Sequence, residues 1–475
     1  MSSYTISKKL NPNKVFILQK SEINKRFDPL FYVPELLDLE KRILSKKPSK
    51  LRNFVKSISS GATPRRDEED KYYSTPENGI PFLRVQNITQ YGLDLSDVKY
   101  INTETHNSLL KRSQVEEDDL LVTITGRIAS SAVAPKGFIG NINQHSVVIK
   151  THNRETSEML ACYLNTSIGQ KLANRLATGG TRLALDYPAL LSIPIIVNDK
   201  ILAITKKVIL EKKENEEKSK NLLNSIDTYL LKELGITLPE KEENTLKSRM
   251  FTTSISELSG TRFDPYFNKA YFKNVQSAFE NCSVDFSNIK STLQYIKTGT
   301  TPHQKLNPFT ENKEIVFLRN TNLKKYRIDL ENTKYVKTEF NKELTYSLKG
   351  EVIMCIAGTV GLSAINDINE PISINQNVSA LKFYENVINP NFASYWFNTS
   401  IFIELTKRAC SVATIHYLNN DNLKLLPIPI PPLEKQLEIA EHISAIRKQA
   451  QDLKDQTKLL LEKANKEIED ILLNT

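Results

Sequence analysis

The apolar positions near the end of the chain fall in steps of mostly three and four. Leu437, Ala440, Ile443, Ile446, Ala450, Leu453, Leu460, Ala464 and Ile471 mark one side of a helix from about Leu433 to Leu473. That spacing is a heptad-like seam, and a seam needs a partner helix. A second long helix is predicted from about Asp199 to Leu234, with Asn198 and Asp199 to cap its start and Gly235 and Pro239 to stop it. Its middle, residues 211–220 (EKKENEEKSK), is almost wholly polar, which suits a narrow two-helix coiled coil. Ahead of each long helix lies a globular stretch with short β-branched runs. Strands are predicted at 80–85, 120–125 and 146–150, with counterparts at 315–319, 351–357 and 379–384. A shorter helix follows in each stretch, 155–177 and 390–408, the latter opened by Asn389-Pro390.

This plan occurs twice because the chain is duplicated. Arg26-Phe-Asp-Pro-x-Phe31 returns as Arg262-Phe-Asp-Pro-x-Phe267, and Gly61-x-Thr-Pro64 as Gly299-x-Thr-Pro302. Phe82-Leu-Arg-x-x-Asn87 returns at Phe317–Asn322, Lys99-Tyr100 at Lys334-Tyr335, and Ile142-Asn-Gln144 at Ile374–Gln376. Asn165-Thr-Ser-Ile168 returns at Asn398–Ile401, and Ile193-Pro194 at Ile428-Pro429. All seven pairs keep one order at separations of 232–238 residues, too long for a solenoid repeat. The expectation is two tandem mixed α/β globular domains with approximate two-fold symmetry. They occupy residues 1–198 and 250–432, with long helices at 199–235 and 433–475 and a linker at 236–249.

Composition adds little that is specific. The 475 residues are 40% hydrophobic and 25% charged, enough for folded cores in two or three domains. No run of 18 apolar residues occurs, and the opening MSSYTISKKL lacks a signal-peptide core, so a cytoplasmic protein is expected. Cys162, Cys282, Cys355 and Cys410 are far apart, without C-x-x-C or H-x-x-x-H spacing, which argues for reduced, mostly buried thiols and against zinc. A net charge of +9 suits a polyanionic partner.

Catalytic motifs are sparse. Asp28-Pro-Leu-Phe31 and Asp264-Pro-Tyr-Phe267 approach the D/N-P-P-Y/F motif of amino-methyltransferases but lack its second proline, and read as structural turns. No G-x-x-x-x-G-K-[ST] sequence exists. Glu116, Glu117, Asp118 and Asp119 cluster ahead of a strand, where the second copy has only Glu351, so a solvated loop is the better reading than a nuclease centre. Gly179-Gly180 and Gly358-Thr-Val-Gly361 read as tight turns.

With these motifs in place, the chain resembles the specificity subunits of type I restriction–modification systems over essentially its whole length. The resemblance rests on the Gly-x-Thr-Pro and Ile-Asn-Gln motifs and on Leu426-Pro-Ile-Pro-Ile-Pro-Pro-Leu-Glu-Lys-Gln436 before a long helix. Two departures stand out: Ile193-Pro-Ile-Ile-Val-Asn-Asp199 replaces the proline-rich form in the first copy, and Ala129 stands where the second copy has Gly361. The resemblance implies two target-recognition domains, each reading half of a bipartite DNA target, held apart by two antiparallel helices. It implies two methyltransferase subunits docked on this scaffold and no catalysis by this chain, and leaves open whether a restriction subunit that translocates DNA with ATP joins them. S-adenosylmethionine and ATP would belong to the partners. Two alternatives stay open: a DNA-recognition adaptor of another modification or defence system, and a self-contained DNA-modifying enzyme.

The duplication also sorts candidate DNA contacts. Half-targets usually differ, so residues identical in both copies, Arg84/Arg319, Asn143-Gln144/Asn375-Gln376 and Arg175/Arg408, suit scaffold bonds or phosphate contacts. Base readers should lie where the copies diverge. After Gly-x-Thr-Pro these are Arg65 and Arg66 against His303, Gln304 and Lys305. A second segment has Arg182 against His416, and a third has Lys324, Lys325 and Arg327 against Gln90 and Tyr91. Leu437, Ile443, Leu453 and Leu460 are expected to pack the helices, and the helix length is expected to set the spacing of the half-sites.

Overall fold

A computed structural model describes residues 10–23, 26–65, 68–76, 78–179, 182–240, 250–252, 254–255, 262–330, 333–410 and 416–474. The chain divides into two compact units, Met1–Glu217 with Asp452–Thr475, and Lys218–Gln451. Each unit therefore takes part of both long helices.

Both units are built from two larger sheets, two two-stranded ones and a helical layer. In the first unit an antiparallel sheet runs in the order Val55–Ser60, Ser146–Thr151, Leu120–Thr123, Ser131–Val133. A second sheet runs Lys99–Ile101, Ile80–Leu83, Gly140–Ile142, Gln114–Val115, with one parallel pair, Phe82 opposite Asn141. The second unit repeats this as Leu293–Thr298, Val378–Phe383, Val352–Cys355, Ser363–Ile365. Its other sheet again pairs Phe317 in parallel with Ser373, and gains a strand, Phe309–Thr310. The central strand Leu120–Thr123 is buried at every position because both faces are covered. Leu120 and Val122 face the helical core, while Leu121 faces the second sheet. Val352 and Met354 against Ile353 and Cys355 divide in the same way.

The helices predicted at 155–177 and 390–408 are each two helices. Arg154–Asn165 gives way to Ser167–Leu176, and Pro390–Phe397 to Ser400–Ala409. The repeated Asn-Thr-Ser-Ile motif makes the break. Thr166 and Thr399 turn extended and cap the second helix, accepting from the N–H of Gly169 and Phe402. Asn165 and Asn398 donate to the carbonyls of Ser131 and Ser363, both at 2.8 Å, pinning the break to the sheet.

The first long helix spans Asp199–Glu233 and the second Leu433–Asn474. Asn198 Oδ1 accepts from the Ile201 N–H at 2.9 Å, and Gly235, at φ +67°, closes the other end. The two helices pack antiparallel within each unit. In the first unit Val208 meets Leu461 and Ala464, and Ile201 joins the core with Ile468 and Leu472. In the second, Tyr229 stacks on His442 at 4.3 Å, Lys435 pairs with Glu233 at 2.6 Å, and buried Ser219 donates to the Ala450 carbonyl at 2.9 Å.

The seam differs from the expected one at its start. Ile443 is fully buried, and Leu453 and Leu460 are half-buried, but Leu437 is 49% exposed. Its place is taken by Gln436, which is fully buried with its amide fully used: Oε1 accepts from Asn389 N–H at 2.8 Å, and Nε2 donates to Val387 and Pro431 carbonyls. No helix among the described residues is long and apolar enough to cross a membrane. The four cysteines are free thiols, and burial pushes Cys162 up to about 11 and Cys355 to about 12.

Candidate nucleic-acid interface

The residues shared by the two copies build a clamp between two loops of each unit. A Cβ on Gly61 would lie 1.8 Å from the Ile142 carbonyl oxygen, and one on Gly299 would lie 2.2 Å from that of Ile374. Only glycine lets the backbones pass this closely. Two residues on, Thr63 donates its hydroxyl to Gln144 Oε1, and Thr301 donates to Gln376 Oε1. Asn143 Oδ1 accepts from the His145 N–H at 3.2 Å, and Asn375 Oδ1 from the Asn377 N–H at 3.3 Å. Gly-x-Thr-Pro and Ile-Asn-Gln are thus two halves of one device.

A third segment joins the clamp. The Ile124 N–H donates to the His145 carbonyl at 2.9 Å, and the Leu185 N–H donates to Ile124 at 2.8 Å. Ile356, Asn377 and Leu418 repeat this at 2.9 Å for both bonds. The register aligns Leu185 with Leu418, so His416 matches Leu183, and the counterpart of Arg182 is Ile415, outside the described residues.

Around this frame stand several of the candidate readers. Arg65 is exposed directly after the first clamp; Arg66 lies outside the described residues. His303, Gln304 and Lys305 are exposed after the second, on a short turn at Gln304–Leu306 that His303 caps. Arg182 and His416 are exposed on the third segment. Arg182 lies beside Gly126, its Nη2 3.9 Å from where a Cβ would stand. Sequence reasoning missed His145. Its Nδ1 lies 2.7 Å from Thr125 Oγ1, and burial, then the charge of Arg182, hold its imidazole below the ordinary value. The signal was present in the sequence, since His145 follows an identical Asn-Gln pair and corresponds to Asn377 in the other copy.

Other candidates lie in the frame or on a hairpin beside the helices. Arg84 pairs with Asp97 at 3.1 Å and donates to its carbonyl at 3.0 Å. Its N–H and that of Arg319 both donate to an asparagine three residues on, Asn87 or Asn322. Lys324 and Arg327 flank a hairpin tip, with Lys325 over the Tyr326 ring at 5.2 Å. Tyr326 is buried against the second long helix, where Arg447 donates to its carbonyl at 2.7 Å. Tyr91 does the same job in the first unit, donating to Glu462 at 3.0 Å while Lys212 donates to its carbonyl at 2.7 Å. The third divergent segment is therefore a joint between each globular part and the helices.

The Arg-Phe-Asp-Pro-x-Phe repeat is a clip. Phe31 lies between the guanidiniums of Arg26 and Arg175, 4.4 and 4.0 Å from its ring centre, and Phe267 between Arg262 and Arg408 at 5.4 and 4.3 Å. Arg26 also donates to the Leu176 and Ala177 carbonyls, and Arg262 to those of Arg408 and Cys410, at the ends of the helices that precede Arg182 and His416. The acidic run is likewise structural. Asp119 and Glu116 share Lys150 at 2.8 and 2.7 Å, Asp118 pairs with Arg154 at 2.6 Å, and Glu117 accepts from the Gly137 N–H at 2.9 Å. Asp119 is buried rather than solvated.

Comparison with known proteins matches residues 283–463 to a family described as the type I restriction modification DNA specificity domain. A Haemophilus influenzae protein described as a type I restriction enzyme specificity subunit is 25% identical over 140 residues, 29% of this chain and 35% of that relative. The match thus spans about a third of the relative's length. Among solved structures, a chain from a study of type I R-M complex assembly aligns over 90% of this chain and 96% of its own at 14% identity and TM-score 0.41. An HsdS subunit from Thermoanaerobacter tengcongensis gives the same coverages and identity with TM-score 0.32, and the S subunit from M. genitalium 90%, 94%, 14% and 0.34.

Proposed function

We propose that this chain, by family a type I restriction–modification specificity subunit, reads a bipartite DNA target with one loop cluster in each unit. The observation that carries this reading is the paired clamp: the same glycine, threonine, asparagine and glutamine contacts hold loops whose outward side chains differ, Arg65 and Arg182 in one unit and His303, Gln304, Lys305 and His416 in the other. A shared frame with different donors and acceptors is what two readers of different half-sites require. The frame residues themselves, Arg84 and Arg319 included, position loops or contact phosphates.

Chemistry is assigned to partners. Two methyltransferase subunits with S-adenosylmethionine, and a restriction subunit with ATP, would act at the site this chain selects. The chain itself neither methylates nor cleaves. The test is methylation mapping in a host expressing the chain with its methyltransferase subunits. A bipartite methylated motif that disappears when this chain is deleted supports the reading. Methyl transfer by the purified chain alone contradicts it.

A further inference from the structure

We infer that residues 145 and 377 are paired base readers, one in each unit, displayed on an otherwise identical turn; the inference rests on the DNA-reading function proposed above. Every backbone bond that fixes His145 has a twin at Asn377. The preceding asparagine side chain accepts from the residue's N–H, at 3.2 and 3.3 Å. Its carbonyl accepts from the N–H of Ile124 or Ile356, at 2.9 Å in both units. The preceding glutamine is tied to the Gly-x-Thr-Pro loop by Thr63 or Thr301. Both residues are half-buried beside an exposed glutamine. A frame held this closely, carrying an imidazole in one unit and a carboxamide in the other, presents two different hydrogen-bonding faces at one geometric position.

The surroundings of the two side chains differ in the same sense. His145 leans on Thr125 through Nδ1, with its Nε2 3.5 Å from Nε2 of the exposed Gln144 and Arg182 nearby, which fixes the ring beside that glutamine. The position of Thr125 is held by Ala357 in the second unit, which offers no such anchor. A free primary amide matches the N6/N7 edge of adenine, so the base pair read through Asn377 should be A·T.

The test uses the full chain co-expressed with its methyltransferase subunits, bearing either His145→Asn or Asn377→His. Genome methylation mapping gives the motif, and binding of the purified complex to duplexes substituted pair by pair, at one salt concentration, gives discrimination. Each substitution should relax or change one base-pair position in one half-site, with discrimination there falling roughly 5- to 100-fold, and leave the other half-site intact. The position altered by Asn377→His should be an A·T pair. An unchanged motif in both variants overturns the inference. So does a uniform loss of affinity on all sequences by variants with the parent's thermal midpoint, which would mark a phosphate or framework contact. If the parent itself yields no bipartite motif, the underlying reading fails, a result visible before either variant is examined.

Discussion

Ala129 sits at φ +60°, in the left-handed region, where the second unit has Gly361 at φ +89°. A side chain there costs about 1–2 kcal/mol, offset by the roughly 0.5–1 kcal/mol of backbone entropy that glycine loses on folding and by about 0.8 kcal/mol for the fully buried Ala129 methyl. Ala129→Gly should therefore leave stability within about 1 kcal/mol of the parent, and a loss of about 2 kcal/mol or more in denaturant unfolding would refute the strain. Gly61 is the opposite case. With a Cβ 1.8 Å from a carbonyl oxygen, Gly61→Ala should destabilise by more than about 3 kcal/mol, as measured by denaturant unfolding. Parental stability in the Gly61→Ala variant would show that the clamp is not closed as described. At this scale the sequence was half legible. Identical residues were separated from divergent ones; of the Asn-Gln pairs, the asparagines serve turn backbone while the exposed glutamines bond the hydroxyls of Thr63 and Thr301. His145 was overlooked because its surroundings depend on which loop stands next to it, and nothing local reveals that Tyr326, between Lys325 and Arg327, packs on a distant helix.

Periodicity located both long helices to within a residue or two, because a seam at every third or fourth position leaves a strong mark. It failed where a polar side chain occupies the seam. Gln436 is buried because its amide finds three backbone partners supplied by loops near residues 387 and 431, which no local pattern encodes. Leu437, the expected packing residue, is turned outward. Leu437→Asp should then change stability by less than about 0.5 kcal/mol. Ile443→Asp should cost at least about 3–5 kcal/mol or abolish soluble expression, since it places a charge in a sealed seam. Equal effects of the two substitutions in denaturant unfolding would place the seam elsewhere. The helix break at Asn-Thr-Ser-Ile was hidden for a related reason: its apolar residues keep helical spacing across the break, and only the caps on Thr166 and Thr399 interrupt it.

On the scale of the whole molecule, the duplication was the most legible feature, since it needs only the chain compared with itself. What it left unseen is that each compact unit is discontinuous or takes parts of both long helices. Ile468 and Leu472, from the end of the second long helix, lie in the first unit's core, and Ser167 N–H donates to Glu469 at 2.5 Å. An exchange confined to residues 1–198 would leave a grafted core against a foreign helix end. Residues 1–217 and 452–475 should be exchanged together. The most direct test of the two-reader account is therefore methylation mapping of a chain in which both of these segments come from a family relative of different, known specificity. The account predicts a hybrid target, with one half-site taken from the donor and the other unchanged. A target altered in both halves, or in neither, would contradict it.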